Sequence, residues 1–174
     1  MAALVAWIAI VACEKAAPPV YAVGRPATAD EIAAWDIDVN GAGAGLPAGG
    51  GNARDGATYY AGLCSACHGV QGDGTKLAAQ LVQPSASGTP ARRNISTHWP
   101  YAPPLLDYIR RAMPPDRRVP LGADTLYAIV AYLLEANRIV LPGGRADRTT
   151  LSRVAMPSRS RFVLDDRRGG RELR

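Results

Sequence analysis

Cys64-Ser65-Ala66-Cys67-His68-Gly69 is the stretch on which the reading of this chain turns. Two cysteines separated by two residues, with a histidine directly after, form a c-type haem attachment signature. On one helical turn both thiols reach the two vinyl groups of a haem and form thioethers. The histidine then lies beneath the ring and offers an imidazole nitrogen to iron. Two other chemistries use similar spacing. A structural zinc site needs a second ligand pair, and the only other histidine, His98, has no cysteine near it. A thioredoxin-like redox pair wants a strand before the motif and a helix after it. Here Gly69, Gly72, Asp73 and Gly74 follow, a tight turn that carries the chain round the haem edge. The motif specifies one covalent haem c on Cys64 and Cys67, with His68 as a metal ligand.

Working outward, Asn52 and Asp55 are candidate caps for the helix that runs into the motif, with Ala53, Ala57, Tyr60, Cys64 and Cys67 at helical spacing. Tyr59 and Tyr60 read as packing residues. Residues 84–104 read as loop from Pro84, Gly88, Pro90, Pro100, Pro103 and Pro104. Within that loop Trp99, Tyr101 and Arg92-Arg93 are the donors expected near haem propionates. His98 reads as a solvent-facing loop residue, with a sixth iron ligand as the sharper alternative. Pro104 suits the first turn of a helix over Leu105–Ala112, which Met113-Pro114-Pro115 ends. A methionine held in a proline-fixed loop, 45 positions after His68, is the candidate second axial ligand. Met156 and an open site are the alternatives. Leu126, Ile129, Val130, Leu133 and Leu134 mark an amphipathic helix over 123–137, set to pack on the helix leading into Cys64.

The flanks carry other signals. Residues Ala2 to Ala12 are an apolar run too short to span a membrane, the length of an export signal. Ile10-Val11-Ala12-Cys13 resembles a bacterial lipobox, which would make Cys13 a lipid anchor; an ordinary cleaved secretory peptide is the alternative. Either route leads to the periplasm. Thr28-Ala29-Asp30-Glu31 fits a capping box before a short helix ending near Trp35. Gly41 to Gly51 is dense in glycine and reads as loop. Beyond Pro142 no periodicity is visible and arginine is frequent, the mark of a tail or an arm ordered against a partner. With 174 residues and a net charge of +5, the chain is one domain with tails. No nucleic-acid-binding pattern accompanies the basic balance, which excludes nucleic acid as a partner.

Helix, Cys-x-x-Cys-His, proline-rich loop, Met-Pro and a final helix together resemble class I cytochrome c, an all-α fold around one haem. Further stretches resemble one subfamily: Glu31 to Val39, Gly45-Leu46-Pro47, Trp99-Pro100-Tyr101-Ala102, Asp107 to Pro114, Met156-Pro157-Ser158-Arg159 and Phe162. That subfamily is the cytochrome c subunit of sulfite and sulfur dehydrogenases, including the Sox system, and the likeness covers about residues 25–168. Its pattern departs at Gly122, where a hydroxyl cap is expected, and at Pro103-Pro104, where threonines are expected.

Composition and motifs divide the chain into a signal or lipoprotein-like segment (1–13), a tether and glycine-rich lead-in (14–51), the cytochrome c domain (52–141) and an arginine-rich C-terminal arm (142–174). The resemblance implies Cys64 and Cys67 on the haem, His68 proximal and Met113 distal. It further implies a molybdenum-cofactor dehydrogenase subunit as electron donor and a respiratory cytochrome as acceptor, with no catalysis by this chain itself. Arg110, Arg111, Arg117 and Arg118 bracket Met113 and are expected to form a docking collar for acidic partners. A free-standing electron carrier, and a haem enzyme or gas sensor with an open distal site, are the rival functions.

Overall fold

The computed structural model describes residues 23–82, 93–116 and 120–163; the expected signal segment with Cys13, and Arg92, Arg117 and Arg118, lie outside them. The chain forms two units, divided between Trp35 and Asp36. In the first, helix α1 (Ala29–Trp35) starts with the expected capping box: Glu31 N–H donates to Thr28 Oγ1 at 3.2 Å and Thr28 N–H to Glu31 Oε2 at 2.8 Å. Arg25 forks onto the Glu31 carboxylate. No residue of α1 is buried.

The second unit is helical, as the all-α reading requires, with a two-stranded ribbon at one side. Helix α2 (Ala53–Leu63) follows the three-residue strand β1 (Gly50–Asn52) and is capped by Asn52, whose side chain accepts from Asp55 N–H at 3.0 Å. Its buried face is Ala53, Gly56 and Tyr60. Helix α6 (Ala123–Ala136) buries Leu126 to Ala131 without a break, then Leu133 and Leu134, as a helix covered on most sides must. Gly122 caps it through its backbone alone, its carbonyl accepting from Leu126 N–H at 3.0 Å.

Helices α2 and α6 meet with no side chain between them at one point. A Cβ at Gly56 would stand 1.9 Å from the Ala128 carbonyl oxygen, and one at Gly51 would stand 2.4 Å from Ala128 N. Glycine is required there by approach of the backbones. Helix α5 (Ala102–Ala112) packs on the same core through Leu105, Leu106 and Ile109. Its first turn accepts Pro103 and Pro104 without loss, because those N–H groups have no intrahelical partner.

Three expectations are corrected. The lead-in is not all tether: from Asp36 it belongs to the main unit, Val39 and Leu46 are buried, and Gly50 to Asn52 form a strand. Asn40 organises this segment by accepting from the N–H groups of Ala42 and Ala44, both at 3.0 Å. The stretch 84–104 is not all loop, since Asn94 and Thr97 cap each other's backbone to start the short helix α4 (Ile95–His98).

The described part of the arm, to Val163, is also folded against its own core. Strand β2 (Arg145–Asp147) pairs antiparallel with β1, Gly51 opposite Ala146, and helix α7 (Arg148–Leu151) follows under an Asp147 capping box. Ala146, Leu151, Val154, Met156 and Ser158 are all buried. Their spacing follows neither a helix nor a strand, because each is an isolated anchor of an irregular strap.

Gly56→Ala is expected to destabilise the protein by about 1–3 kcal/mol, the cost of overpacking, seen as a lower urea midpoint at unchanged slope. Gly62→Ala in the same helix, where nothing lies within 4 Å of the new Cβ, is expected to be neutral or to stabilise by about 0.5–1 kcal/mol.

Candidate haem site

Helix α2 stops at Cys64 (φ −123°, ψ −34°), and a separate turn of helix, α3 (Ser65–His68), carries the rest of the motif. The sequence led us to expect one helix running straight through; instead there is a kink, bridged by Cys64 N–H to Tyr60 O and His68 N–H to Cys64 O, each 2.9 Å. Gly69, at φ +84°, ends α3. The turn that follows is fastened from three sides. Tyr60 Oη donates to Gly69 O at 2.8 Å, Thr75 Oγ1 to Cys67 O at 2.6 Å, and Gly74 N–H to His68 O at 2.8 Å. Burial pushes the Tyr60 phenol well above its ordinary range, so it remains a donor.

His68 Nδ1 lies 2.8 Å from the Ala79 carbonyl oxygen. A carbonyl can only accept, so Nδ1 carries the proton and the Nε2 lone pair is left for a metal. Burial, with Cys67 nearby, pushes the Cys64 thiol up to about 11. A catalytic redox cysteine needs the opposite shift, toward thiolate at neutral pH. The environment of Cys64 therefore suits a neutral sulfur, which a thioether is.

Cys64, Cys67 and His68 line one cavity of about 470 Å³, within the roughly 300–1,000 Å³ usual for cofactor sites. Helix α5 and its end contribute Leu105, Tyr108, Ile109 and Met113, followed by Pro114 and Pro115. Helix α6 contributes Ile129 and Leu133, and Leu63, Leu81 and Ile95 complete the apolar lining. Asn137 ties these walls together: its Nδ2 donates to Leu81 O at 3.1 Å and to Leu133 O at 2.8 Å, and its Oδ1 accepts from Ser96 Oγ at 3.0 Å. Two sulfurs, a preset imidazole, a thioether and an apolar wall are the donor set and surroundings that a covalent haem requires. Among the described residues no three His, Cys, Asp or Glu side chains cluster as a metal site of another kind.

Met113 is on the lining, whereas Met156 is a core residue, 4 % exposed, and is not. Trp99 lines the cavity and packs on Tyr108, ring centroids 5.6 Å apart. Arg93 and His98 also line it; His98 is exposed, as the solvent-facing reading expects, yet also forms part of the wall at the end of α4. Tyr101 is corrected: it is not on the lining. It caps α5 from outside, where its ring carries the Arg159 guanidinium 4.1 Å above its centroid.

The arginine collar is corrected in its described half. Arg111 is bound to Asp107 and Asp38, and Arg110 donates to the Ile37 carbonyl, so both hold the lead-in to α5. The α5 lining was missed in part, although Leu105, Tyr108, Ile109 and Met113 share one helical stripe that continues past the helix end. Leu81 carried no such signal.

Residues 51–133 match the family described as cytochrome C oxidase, cbb3-type, subunit III. No curated protein sequence is significantly similar to the chain. Among solved structures, a chain in the crystal structure of the sulfane dehydrogenase SoxCD from Paracoccus pantotrophus is 34% identical. The similarity covers 84% of this chain and 73% of that one, with a TM-score of 0.72. With this cavity, this motif and this likeness over most of both chains, the protein belongs to the class I cytochromes c of the Sox type, a family that carries covalent haem c.

Proposed function

We propose that the chain is a monohaem electron-transfer subunit. It accepts electrons from a molybdenum-cofactor subunit that oxidises sulfite or a related sulfur species, and passes them to a respiratory cytochrome. The observation that carries this is the pairing of His68, its Nδ1 committed to Ala79, with Met113 on the lining of one apolar cavity. Histidine and methionine together raise the potential of a haem, which suits accepting electrons from molybdenum. The likeness to a chain of a sulfane dehydrogenase supports the choice of donor.

Bound haem supplies one-electron iron chemistry, and the protein supplies position and tuning. Cys64 and Cys67 would hold the ring, His68 Nε2 and Met113 Sδ would ligate its iron, and Trp99 and Arg93 line the same cavity. Sulfite oxidation releases two electrons, so the subunit is loaded and discharged twice per turnover. No residue here acts on sulfur. The apolar run Ala2 to Ala12 and the lipobox-like Ile10 to Cys13 support a periplasmic site, with Cys13 as a lipid anchor.

Two measurements test this reading. Protein isolated gently from its native envelope is expected to show haem reduction on adding sulfite, lost when a co-purifying larger subunit is stripped away. Haem that responds to dithionite but never to sulfite, with no partner present, would favour a free-standing carrier. Met113→Ala is expected to keep covalent haem while its midpoint potential falls and carbon monoxide binds readily to the reduced form. A variant with the potential and carbon monoxide response of the wild type would remove Met113 as a ligand.

A further inference from the structure

The strap from Arg145 to Arg161 carries five arginines, Arg145, Arg148, Arg153, Arg159 and Arg161, against one acidic residue, Asp147. All five are exposed, while the anchors between them are buried. Among the described residues none of the five is in an ion pair. The carboxylates nearby offset only part of this charge: Asp147 lies close enough to Arg145 to feel its charge. Asp147 accepts from the N–H groups of Thr149 and Thr150, and Asp38 is held by Arg111.

One contact places the strap beside the haem cavity, and a second joins its parts. The turn at Gly41 to Gly43 brings separate parts of the strap together. A Cβ at Gly41 would meet the Tyr101 ring at 2.9 Å, the ring that carries Arg159, and one at Gly43 would meet Ser152 at 3.1 Å and the Arg148 carbonyl at 3.9 Å. Ser158, 1% exposed, donates through Oγ to the Trp99 carbonyl at 2.6 Å. Trp99 lines the cavity. The strap is thus an ordered surface of net positive charge bonded to the cavity wall.

We propose that the Arg145–Arg161 strap is the docking surface for an acidic protein redox partner, placing that partner at the Trp99 side of the haem cavity. This rests on the electron-transfer reading and names the surface that serves it. Arginine forks match carboxylates in pairs, and on an ordered backbone they lose little freedom on binding. Positive charge at the electron entry also raises the encounter rate with acidic partners.

The test uses the haem-loaded full chain and two small redox probes, anionic hexacyanoferrate(II) and cationic hexaammineruthenium(II), with fluorescently labelled polyglutamate as an acidic polymer. In Arg148→Glu/Arg159→Glu, reaction with the anionic probe is expected to slow by about tenfold at low salt, and that with the cationic probe to quicken. High salt is expected to shrink both changes, and polyglutamate binding, read by anisotropy, to be lost. Arg148→Glu/Arg161→Glu, which keeps the Arg159–Tyr101 stack, is expected to behave alike. Arg54→Glu, at the far end of α2 from Cys64, is the control. Rates and polyglutamate binding unchanged in both double variants, or altered equally by Arg54→Glu, would overturn the proposal. So would loss of binding to phosphatidylglycerol vesicles with polyglutamate binding intact, which would make the surface a membrane contact. A wild-type haem that exchanges electrons with neither probe would overturn the electron-carrier reading itself, and the proposal with it.

Discussion

The approach of α2 to α6 at Gly56 is the constraint on which the remaining structure depends. With no room for a Cβ between Gly56 and the Ala128 carbonyl, the two helices cannot slide or rotate far relative to one another without a clash. That fixes where α2 ends, and so where Cys64 and the turn holding His68 begin. It also fixes which face of α6 remains for the cavity, namely Ile129 and Leu133. Tyr60, one turn beyond Gly56 on the same buried face, extends the constraint by bonding Gly69 just past the histidine.

The cavity that results is apolar in its walls and specific at few points. Its polar atoms are mostly committed inside the protein: His68 Nδ1 to Ala79, and Asn137 to three segments that each contribute lining. Committed partners mean that the imidazole and the walls keep one orientation, and preorganisation of this kind is what a cofactor site needs when the protein's role is tuning. The raised thiol of Cys64 belongs to the same pattern, since a buried site favours neutral sulfur over thiolate.

Charge is arranged in the opposite way. The arginines beside Met113 that can be described are neutralised or bound to backbone, and they join the lead-in to α5. The strap instead carries five exposed arginines, none of them in an ion pair among the described residues. Position in sequence relative to the ligand therefore misleads about which charges a partner meets, because pairing depends on what folds back against each helix.

What the sequence determined by itself was local chemistry and strong periodicity. Cys64, Cys67 and His68 needed only their spacing, α6 only its apolar pattern, and α2 and α1 only their caps, since each signal lies within a few residues of its effect. Met113 as a cavity residue was legible from the proline-fixed end of a helix. Tertiary structure alone decided the rest. The strap reads as a tail because its anchors from Ala146 to Ser158 are spaced to fit hollows in a core made by other segments, with no period of their own. Tyr101 sits two residues from Trp99 yet is not on the cavity lining, because its ring is taken up by Arg159 and the turn at Gly41. Gly56 and Gly51 look like ordinary helix and loop glycines until α6 is laid across them. Each of these depends on a partner distant in the chain, and only folding brings that partner near.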